Sequence, residues 1–336
     1  MRLRTVSCQG PGWRRVRHGR GFRYLDEDGE ALPPEQVDRV KELVIPPAWS
    51  DVWICPDERG HLQAVGTDAA GRRQYLYHPE WRRKRDEQKF DRAIELGRRL
   101  PRVRTALKRE LLGDPAARET VVAAAVRLVD LGCFRLGSET YAEDNGSFGL
   151  TTLQVRHVRR DGNARIFQFV GKAGIDHEIV IVDPTLLGTI DALTEHRRAD
   201  GRLLATRDGR RWRSLDAAEV NERIRELLSL DVTAKDFRTW KATTTVARQL
   251  AEVHRATASS GRARQVREAI AQAADLLGNT PSVARSSYVD PRVIDLFEDG
   301  QTIGRARSEN GLDREVVNVL TTSVASGGAT NRRSVR

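Results

Sequence analysis

The stretch TTLQVRHVRRDGNARIFQFVGKAGIDHEIVIVD (residues 151–183) contains three runs rich in apolar, β-branched and aromatic residues, separated by two turn signals. Asp-Gly at 161–162 predicts the first turn, and Gly-Lys-Ala-Gly at 171–174 predicts the second. The stretch therefore predicts a three-stranded β-meander, which we expect to interrupt an otherwise helical region.

Helical periodicity on both sides of the meander predicts a mostly helical domain. The segments are FDRAIELGRRLPRVRTALKRELLG (90–113), ARETVVAAAVRLVDLGCF (117–134), PTLLGTIDALTEHRR (184–198), SLDAAEVNERIRELLSL (214–230), TAKDFRTWKATTTVARQLAEVH (233–254) and RARQVREAIAQAADLLG (262–278). Pro101 lies within the first segment, where we expect it to break or kink the helix. The second segment is apolar throughout and is expected to be central to the core.

Short extended runs separated by turns predict a small, mainly β domain at the N-terminus. Asp-Glu-Asp-Gly (26–29) and Asp-Glu-Arg-Gly (57–60) are its hairpin signals. We place this domain at residues 1–90 and the helical domain at 91–320. Residues 321–336 contain too little apolar surface to fold and are expected to form a disordered basic tail. The predicted fold class is α+β.

The charge balance favours a polyanionic partner. The 336 residues include 57 Lys+Arg and 47 Asp+Glu, a net charge of +10, and 39% of them are hydrophobic, enough to bury an ordinary core. Nucleic acid is the leading candidate, although a soluble protein from an arginine-rich proteome would have a similar composition.

The cysteines and the first residues indicate the compartment. Cys8, Cys55 and Cys133 are far apart and form no CxxC pair, which argues against disulfides and zinc and favours a reducing cytoplasm. The basic N-terminal segment has no apolar run, so neither a signal peptide nor a membrane anchor is expected. The sequence lacks a GxxxxGK[ST] loop and a close cluster of metal-ligating residues, so we expect no cofactor and no metal.

A tyrosine near the C-terminus follows a series of cations that suits attack on a phosphodiester. The phenol of Tyr288 has an ordinary pKa of about 10, so the site must stabilise the developing phenolate and the crowded phosphorus together. Arg135, Lys172 and Arg238 can supply that charge. Taken singly, each residue has a plainer interpretation: a solvated turn lysine, arginines in internal salt bridges and a half-buried tyrosine.

The residues before the tyrosine predict its local structure. Thr280 is suited to be the N-cap of a short helix, with Pro281 as its first residue. Pro291 ends that helix soon after Tyr288, so Asn279 and Tyr288 are expected to be held around one short helix.

Four sequence blocks resemble, in the same order, those around the catalytic residues of the type IB DNA topoisomerases, in the compact poxvirus-like form found in bacteria. The blocks are FRLGSETYAEDNGSFGLTTL (134–153), FVGKAGIDHEIVI (169–181), KDFRTWKAT (235–243) and LGNTPSVARSSYVDP (277–291). The resemblance covers most of the chain. It implies the catalytic fold shared by tyrosine recombinases and type IB topoisomerases.

The resemblance also implies a role for each residue. Tyr288 would attack a backbone phosphate and become joined to the 3′ end of the broken strand, releasing a 5′ hydroxyl. Arg135 and Arg238 would hold the non-bridging oxygens, and Lys172 would protonate the departing 5′ oxygen. Rotation of the strand before religation would relax supercoils, and neither ATP nor a divalent ion would be required.

Asn279 departs from the family pattern, because poxviral and eukaryotic relatives carry a histidine there. An amide can donate a hydrogen bond but cannot carry a charge or exchange a proton, so its role would be transition-state binding. The replacement puts up to roughly 3 kcal/mol of transition-state stabilisation in question. His157 and His177 are expected to pack or bond locally rather than replace the histidine.

A segment of the N-terminal domain, GRRQYLYHPEW (71–81), resembles the family's DNA-contacting segment. Its arginines would meet phosphates, while Gln74 and Tyr75 would reach base edges. The candidate DNA-contacting residues are Arg73, Gln74, Tyr75 and Tyr77, with Tyr141 at a phosphate-contacting position of the second domain. We expect the two domains to close as a clamp around supercoiled double-stranded DNA, and the resemblance implies a monomer.

Two other functions stay open from the residues alone. A tyrosine recombinase or integrase shares the tyrosine, the two arginines and the meander lysine, but it usually carries His-x-x-Arg where this chain has Lys-Asp-Phe-Arg at 235–238. A basic DNA-binding protein with a degenerate site would explain Asn279.

Overall fold

A computed structural model of the chain describes residues 2–139, 142, 146–209, 211–256 and 261–330. The chain divides into two compact units, residues 1–89 and 90–336.

The first unit is a five-stranded antiparallel sheet with the strand order β2-β1-β3-β4-β5. Its elements are β1 (Trp13–His18), β2 (Gly21–Leu25), α1 (Pro34–Glu42), β3 (Ser50–Ile54), β4 (Leu62–Thr67) and β5 (Arg73–Tyr77). Apolar side chains of β1, β3, β4 and α1 share one small core that includes Trp13, Val40 and Ile54. The hairpin signal at 57–60 lies between β3 and β4, as expected.

The second unit is mostly helical and contains a three-stranded meander of order β6-β7-β8 and a separate two-stranded hairpin, β9-β10. The helices are α2 (Pro79–Glu110), which starts in the first unit, α3 (Arg118–Gly132), α4 (Pro184–Thr194), α5 (Ala217–Leu228), α6 (Ala234–Ala256), α7 (Arg262–Leu277), α8 (Pro281–Ser287), α9 (Pro291–Glu298) and α10 (Glu309–Thr330). The strands are β6 (Val158–Asp161), β7 (Ala164–Val170), β8 (Asp176–Ile181), β9 (Ala205–Asp208) and β10 (Arg211–Ser214). The predicted α+β class, with a meander inside a helical domain, is confirmed.

Helix α3 is the centre of the second unit. Every residue from Thr120 to Asp130 is buried, including two charged ones, Arg127 and Asp130. A helix that is buried on all sides needs an apolar sequence, and the run of Val and Ala residues in α3 provides it.

The first predicted strand of the meander is shorter than expected. Residues 150–152 and 155–157 form 3₁₀ turns, and β6 begins only at Val158. The backbone N–H of Leu150 donates to the carbonyl of Arg135 at 2.8 Å, and that of Thr151 donates to Leu136 at 2.8 Å. These bonds to a distant segment replace the strand pairing that the local sequence predicted.

Two further expectations differ from the structure. Helix α2 is not broken at Pro101 but continues through it, with Leu100 and Val103 buried in the core on either side; of the two expected outcomes, only the break is tested. Helix α10 continues to Thr330, so the backbone of residues 321–330 is helical instead of disordered. These residues continue a helix whose Val316, Val317 and Leu320 side chains pack in the core. Residues 331–336 lie outside the described ones.

Within the described ranges, none of the helices combines the length and apolar character that a bilayer crossing requires.

Candidate active site

Arg135 follows the end of the central helix. Helix α3 stops at Cys133, which adopts a left-handed conformation with φ 53°. The next residues are held by the bonds from Leu150 and Thr151 described above, so the half-buried Arg135 side chain starts from a fixed backbone.

Arg238 lies inside α6 and is only 4% exposed. Its Nη1 donates to the carbonyl of Cys133 at 2.6 Å, and its Nη2 donates to the carbonyl of Leu277 at 2.7 Å. The guanidinium thus joins the ends of α3 and α7 through backbone carbonyls. Among the described residues neither Arg135 nor Arg238 pairs with a carboxylate, so the salt-bridge interpretation has no support there.

Asn279 is placed by the end of α7. Gly278 has a positive φ of 58° and donates to Asp275, and the N–H of Asn279 donates to the carbonyl of Ala274 at 3.0 Å. This is the Schellman pattern, which favours glycine at the left-handed position. The side-chain Oδ1 of Asn279 then accepts from Nη2 of Arg135 at 2.8 Å.

Two buried donors in this cluster lack an acceptor within the described part of the chain: Nε of Arg238 and Nδ2 of Asn279. Leaving a buried donor unpaired costs about 1–3 kcal/mol, so such groups are few in folded proteins. Arg238 itself carries a positive charge, and Asn279 is bonded to the positively charged Arg135. Both donors therefore suit an anionic oxygen.

Tyr288 caps the short helix α8. The helix begins as predicted, with Thr280 as N-cap accepting from the N–H of Val283 and Pro281 as the first residue. Helix α9 begins at Pro291, three residues after the tyrosine.

The backbone around Tyr288 is tied to α6 by one hydroxyl. Oγ1 of Thr243 accepts from the N–H of Asp290 at 3.1 Å and lies 3.3 Å from the carbonyl oxygen of Tyr288. Thr243 is 1% exposed and lies on the same helix as Arg238.

The Tyr288 ring lies beside the buried arginine, with the guanidinium carbon of Arg238 5.3 Å from its centroid. Burial alone would raise the pKa of the phenol, but the charge of Arg238, the polar contact of its side chain with the phenol and the charges of Arg135 and Lys235 outweigh burial, and the pKa is lowered from its ordinary value. The site therefore favours the phenolate, which is the nucleophilic form.

Lys172 lies on the tight turn between β7 and β8, where Ala173 has φ 67° and Gly174 has φ 73°. Its side chain is exposed, and it lines one small depression together with Arg135, Arg238 and His177. The turn thus brings the meander lysine to the same depression as the two arginines.

The candidate DNA-contacting residues of the first unit lie on its edge strand, β5. The pleat places Arg73, Tyr75 and Tyr77 on one face, and the two tyrosine rings stack with centroids 6.2 Å apart. Gln74 lies on the other face and donates from Nε2 to the carboxylate of Asp68 at 2.9 Å. Tyr141 lies outside the described residues.

Sequence reasoning missed two residues at the site, Thr243 and Lys235. Lys235 precedes Arg238 by three residues on the same helix, so helical spacing could have indicated it. Thr243 is one of several threonines in α6, and no local signal distinguishes it. In the described ranges, His, Cys, Asp and Glu side chains form no group of three or more that could hold a metal ion.

Comparison with known proteins identifies the family. A family model of the eukaryotic DNA topoisomerase I catalytic core matches residues 78–302, and one of the bacterial DNA topoisomerase IB N-terminal domain matches residues 21–68. The DNA topoisomerase 1B of Acanthamoeba polyphaga mimivirus is 26% identical over 282 residues, covering 82% of this chain and 84% of the relative. The DNA topoisomerase 1B of vaccinia virus (strain Copenhagen) is 22% identical over 240 residues, covering 70% and 72%.

Proposed function

The chain belongs to the type IB DNA topoisomerases, and from that membership we propose that it nicks one strand of duplex DNA through a 3′-phosphotyrosyl intermediate. Rotation of the broken strand then relaxes positive and negative supercoils, and religation restores the duplex. The proposed catalytic residues are Arg135, Lys172, Arg238, Asn279 and Tyr288.

The pair of unpaired buried donors carries this proposal. Nε of Arg238 and Nδ2 of Asn279 are desolvated in the free protein, so an anionic oxygen that accepts from either donor would relieve that cost. A pentacoordinate phosphate develops more negative charge on its non-bridging oxygens than the ground state does. Donors already in place therefore stabilise the transition state more than the substrate.

The reaction follows from the neighbouring groups. The Tyr288 phenol loses its proton to solvent, the phenolate oxygen attacks phosphorus, a new O–P bond forms, and the bond from phosphorus to the 5′ oxygen breaks. Lys172 gives a proton to the departing 5′ oxygen, while the charges of Arg135 and Arg238 favour the phenolate beforehand. The phosphotyrosyl ester retains the energy of the phosphodiester, so the reverse attack by the 5′ hydroxyl needs no ATP.

We propose that the first unit binds duplex DNA through the face of β5 that carries Arg73, Tyr75 and Tyr77. An exposed arginine, the exposed ring of Tyr75 and the half-buried ring of Tyr77 can contact phosphates and sugars or bases together. Since a single chain contains every residue of the proposed set, we also propose that the protein acts as a monomer.

Plasmid relaxation tests the proposal. Positively and negatively supercoiled plasmids are incubated with the protein in EDTA without ATP, beside Tyr288→Phe and the matched control Tyr24→Phe in the first unit. We expect the wild type and Tyr24→Phe to relax both signs and Tyr288→Phe to relax neither. Failure of the wild type to relax either plasmid at any salt concentration would contradict the proposal.

The polarity of the covalent bond separates the proposed reaction from other nicking chemistry. On a duplex labelled at the 5′ end of the cleaved strand, the label should migrate with the protein, because the upstream fragment retains the 3′ phosphate. Label transfer only from the 3′-labelled strand would contradict the proposed linkage.

A further inference from the structure

His177 belongs to an aromatic column that connects segments of the proposed site. Its ring stacks on Phe169 with centroids 5.2 Å apart and an interplanar angle of 19°, and Phe169 stacks on Phe134 at 5.9 Å and 17°. Phe134 directly precedes Arg135. Phe169 and His177 flank the turn that carries Lys172, one on each strand of the hairpin.

Two glycines leave the space that the imidazole fills. A Cβ on Gly171 would lie 2.5 Å from Cδ2 of His177, and one on Gly278 would lie 2.3 Å from Cε1. Gly171 precedes Lys172, and Gly278 precedes Asn279. The imidazole therefore packs at the same time against the backbone next to the lysine and the backbone next to the amide.

The two glycines differ in what requires them. Gly278 has φ 58°, so its conformation alone favours glycine. Gly171 has φ −97° and ψ −164°, which any residue adopts. At Gly171 it is the contact with His177, and not the backbone conformation, that excludes a side chain.

Lys172 depends on its backbone for position. The side chain is exposed, and among the described residues no hydrogen bond or ion pair holds its ammonium group. A long side chain on a turn can deliver a proton to a particular oxygen only if the turn itself is fixed.

We infer that His177 is a positioning residue that holds the Lys172 turn against the segment carrying Asn279, so that the ammonium and the amide act on the same phosphate. The inference rests on the proposed function, in which Lys172 is the acid for the leaving group. Burial, and then the charges of Arg135 and Arg238, lower the pKa of His177. The shift favours the neutral imidazole, and the ring holds the turn by packing.

A substrate with a sulfur leaving group tests this role. When the bridging 5′ oxygen of the scissile phosphate is replaced by sulfur, the P–S bond breaks and a thiolate leaves. A thiol has a pKa of about 8.5, so the leaving group needs no proton from an acid. A defect in positioning the acid should affect the oxygen substrate and spare the sulfur one.

Single-turnover formation of the covalent adduct is measured on both duplexes for wild type, Lys172→Ala, His177→Ala and Gly171→Ala. We expect His177→Ala and Gly171→Ala to slow cleavage of the oxygen substrate on the order of 10- to 100-fold. Both variants should cleave the sulfur substrate at nearly the wild-type rate, as should Lys172→Ala. Gly171→Ala keeps the imidazole, so it tests the contact even if removal of the ring unfolds the protein.

His254→Ala is the matched control, since that histidine lies against Phe297 in another part of the unit, with ring centroids 6.2 Å apart. It should cleave both substrates like the wild type. Equal losses on the oxygen and sulfur substrates, or no loss in either variant, would overturn the role of His177. A wild-type protein that forms no adduct with either substrate would instead contradict the proposed function itself.

Discussion

Arg135 donates from Nη2 to Oδ1 of Asn279 across 2.8 Å. A guanidinium has no acceptor, so the bond determines which end of the amide is oxygen and leaves Nδ2 as the free donor. Nδ2 is buried without an acceptor in the described part of the chain. The arginine thus orients a neutral hydrogen-bond donor within the proposed site.

Asn279→Asp should be more damaging than Asn279→Ala. Alanine removes one donor to the transition state, which costs about 10²–10³-fold in rate. Aspartate can still pair with Arg135, but it replaces the donor by an oxygen and places a negative charge beside the phosphate. We expect a larger loss in single-turnover adduct formation. Asn310→Asp is the control, because Asn310 accepts from Arg104 at 2.7 Å in a similar pair elsewhere, and it should cleave like the wild type. Cleavage at the wild-type rate by Asn279→Asp would contradict the orientation assigned to the Asn279 amide.

The cleavage rate should rise with pH and level off below the ordinary phenol pKa of about 10. The cations around Tyr288 lower the pKa of its phenol despite burial, so the phenolate fraction at a given pH is larger than for a free tyrosine. Lys235→Gln removes one of those charges, and its rate profile should shift to higher pH. Arg248→Gln, an exposed change on the same helix, should leave the profile unchanged. Superimposable profiles for Lys235→Gln and the wild type would show that this charge does not act on the phenol.

Much of the candidate site could be proposed from the sequence, because its residues stand in blocks that resemble those of a known family in the same order. Arg135, Lys172, Arg238 and Tyr288 stand in the four sequence blocks, and the turn at 171–174 could be placed from glycine alone. The helix start at Thr280 and Pro281 followed from capping rules.

The remaining features depend on contacts between distant parts of the chain. The first strand was expected from Thr151 but begins only at Val158, because Leu150 and Thr151 bond to the Arg135 segment, which no local pattern reveals. His177 was expected to pack locally, and it does stack on Phe169. Its contact with Gly278 comes from a helix end about one hundred residues further along the chain, beyond the reach of local periodicity.

Thr243→Val should lower both stability and cleavage. Valine has the same shape but cannot accept from the N–H of Asp290, which is buried, so we expect a loss of about 1–3 kcal/mol in the free energy of unfolding. The segment that follows Tyr288 also loses its tie to α6 through the N–H of Asp290, and adduct formation should slow. Thr243→Ser keeps the hydroxyl and should retain most of the cleavage rate.

Thr120→Val separates positioning from stability in this test. Thr120 is also buried and donates to the carbonyl of Glu110 at 3.1 Å, far along the chain from the tyrosine. It should lower the urea midpoint without slowing single-turnover cleavage. If Thr243→Val behaved in the same way, Thr243 would be a stabilising residue only.

Asp130→Ala should be among the most destabilising single changes. Asp130 is 4% exposed, accepts from Nε and Nη2 of Arg104 at 2.8 and 2.9 Å, and also pairs with Arg127. Removing the carboxylate leaves the buried guanidinium groups of Arg104 and Arg127 with one partner fewer each, which should lower the free energy of unfolding by about 3–5 kcal/mol. Urea unfolding measures the loss. Asp38→Ala is the control: it breaks the exposed pair with Lys41 and should change stability by about 0–1 kcal/mol. Similar losses for Asp130→Ala and Asp38→Ala would show that burial does not make the Asp130 pairs more important for stability.

The pleat of β5 places neighbouring residues on opposite faces, so we expect their substitutions to change DNA binding by different amounts. Tyr75 and Arg73 share one face, so Tyr75→Ala and Arg73→Ala should both raise the Kd for duplex DNA. Only Arg73→Ala should also reduce the slope of log K against log salt, by about 0.9, because it removes one phosphate contact. Gln74→Ala, on the opposite face and bonded to Asp68, should change Kd least, and fluorescence anisotropy over a salt series measures all three. A larger effect of Gln74→Ala than of Tyr75→Ala would place the DNA on the other face of the strand.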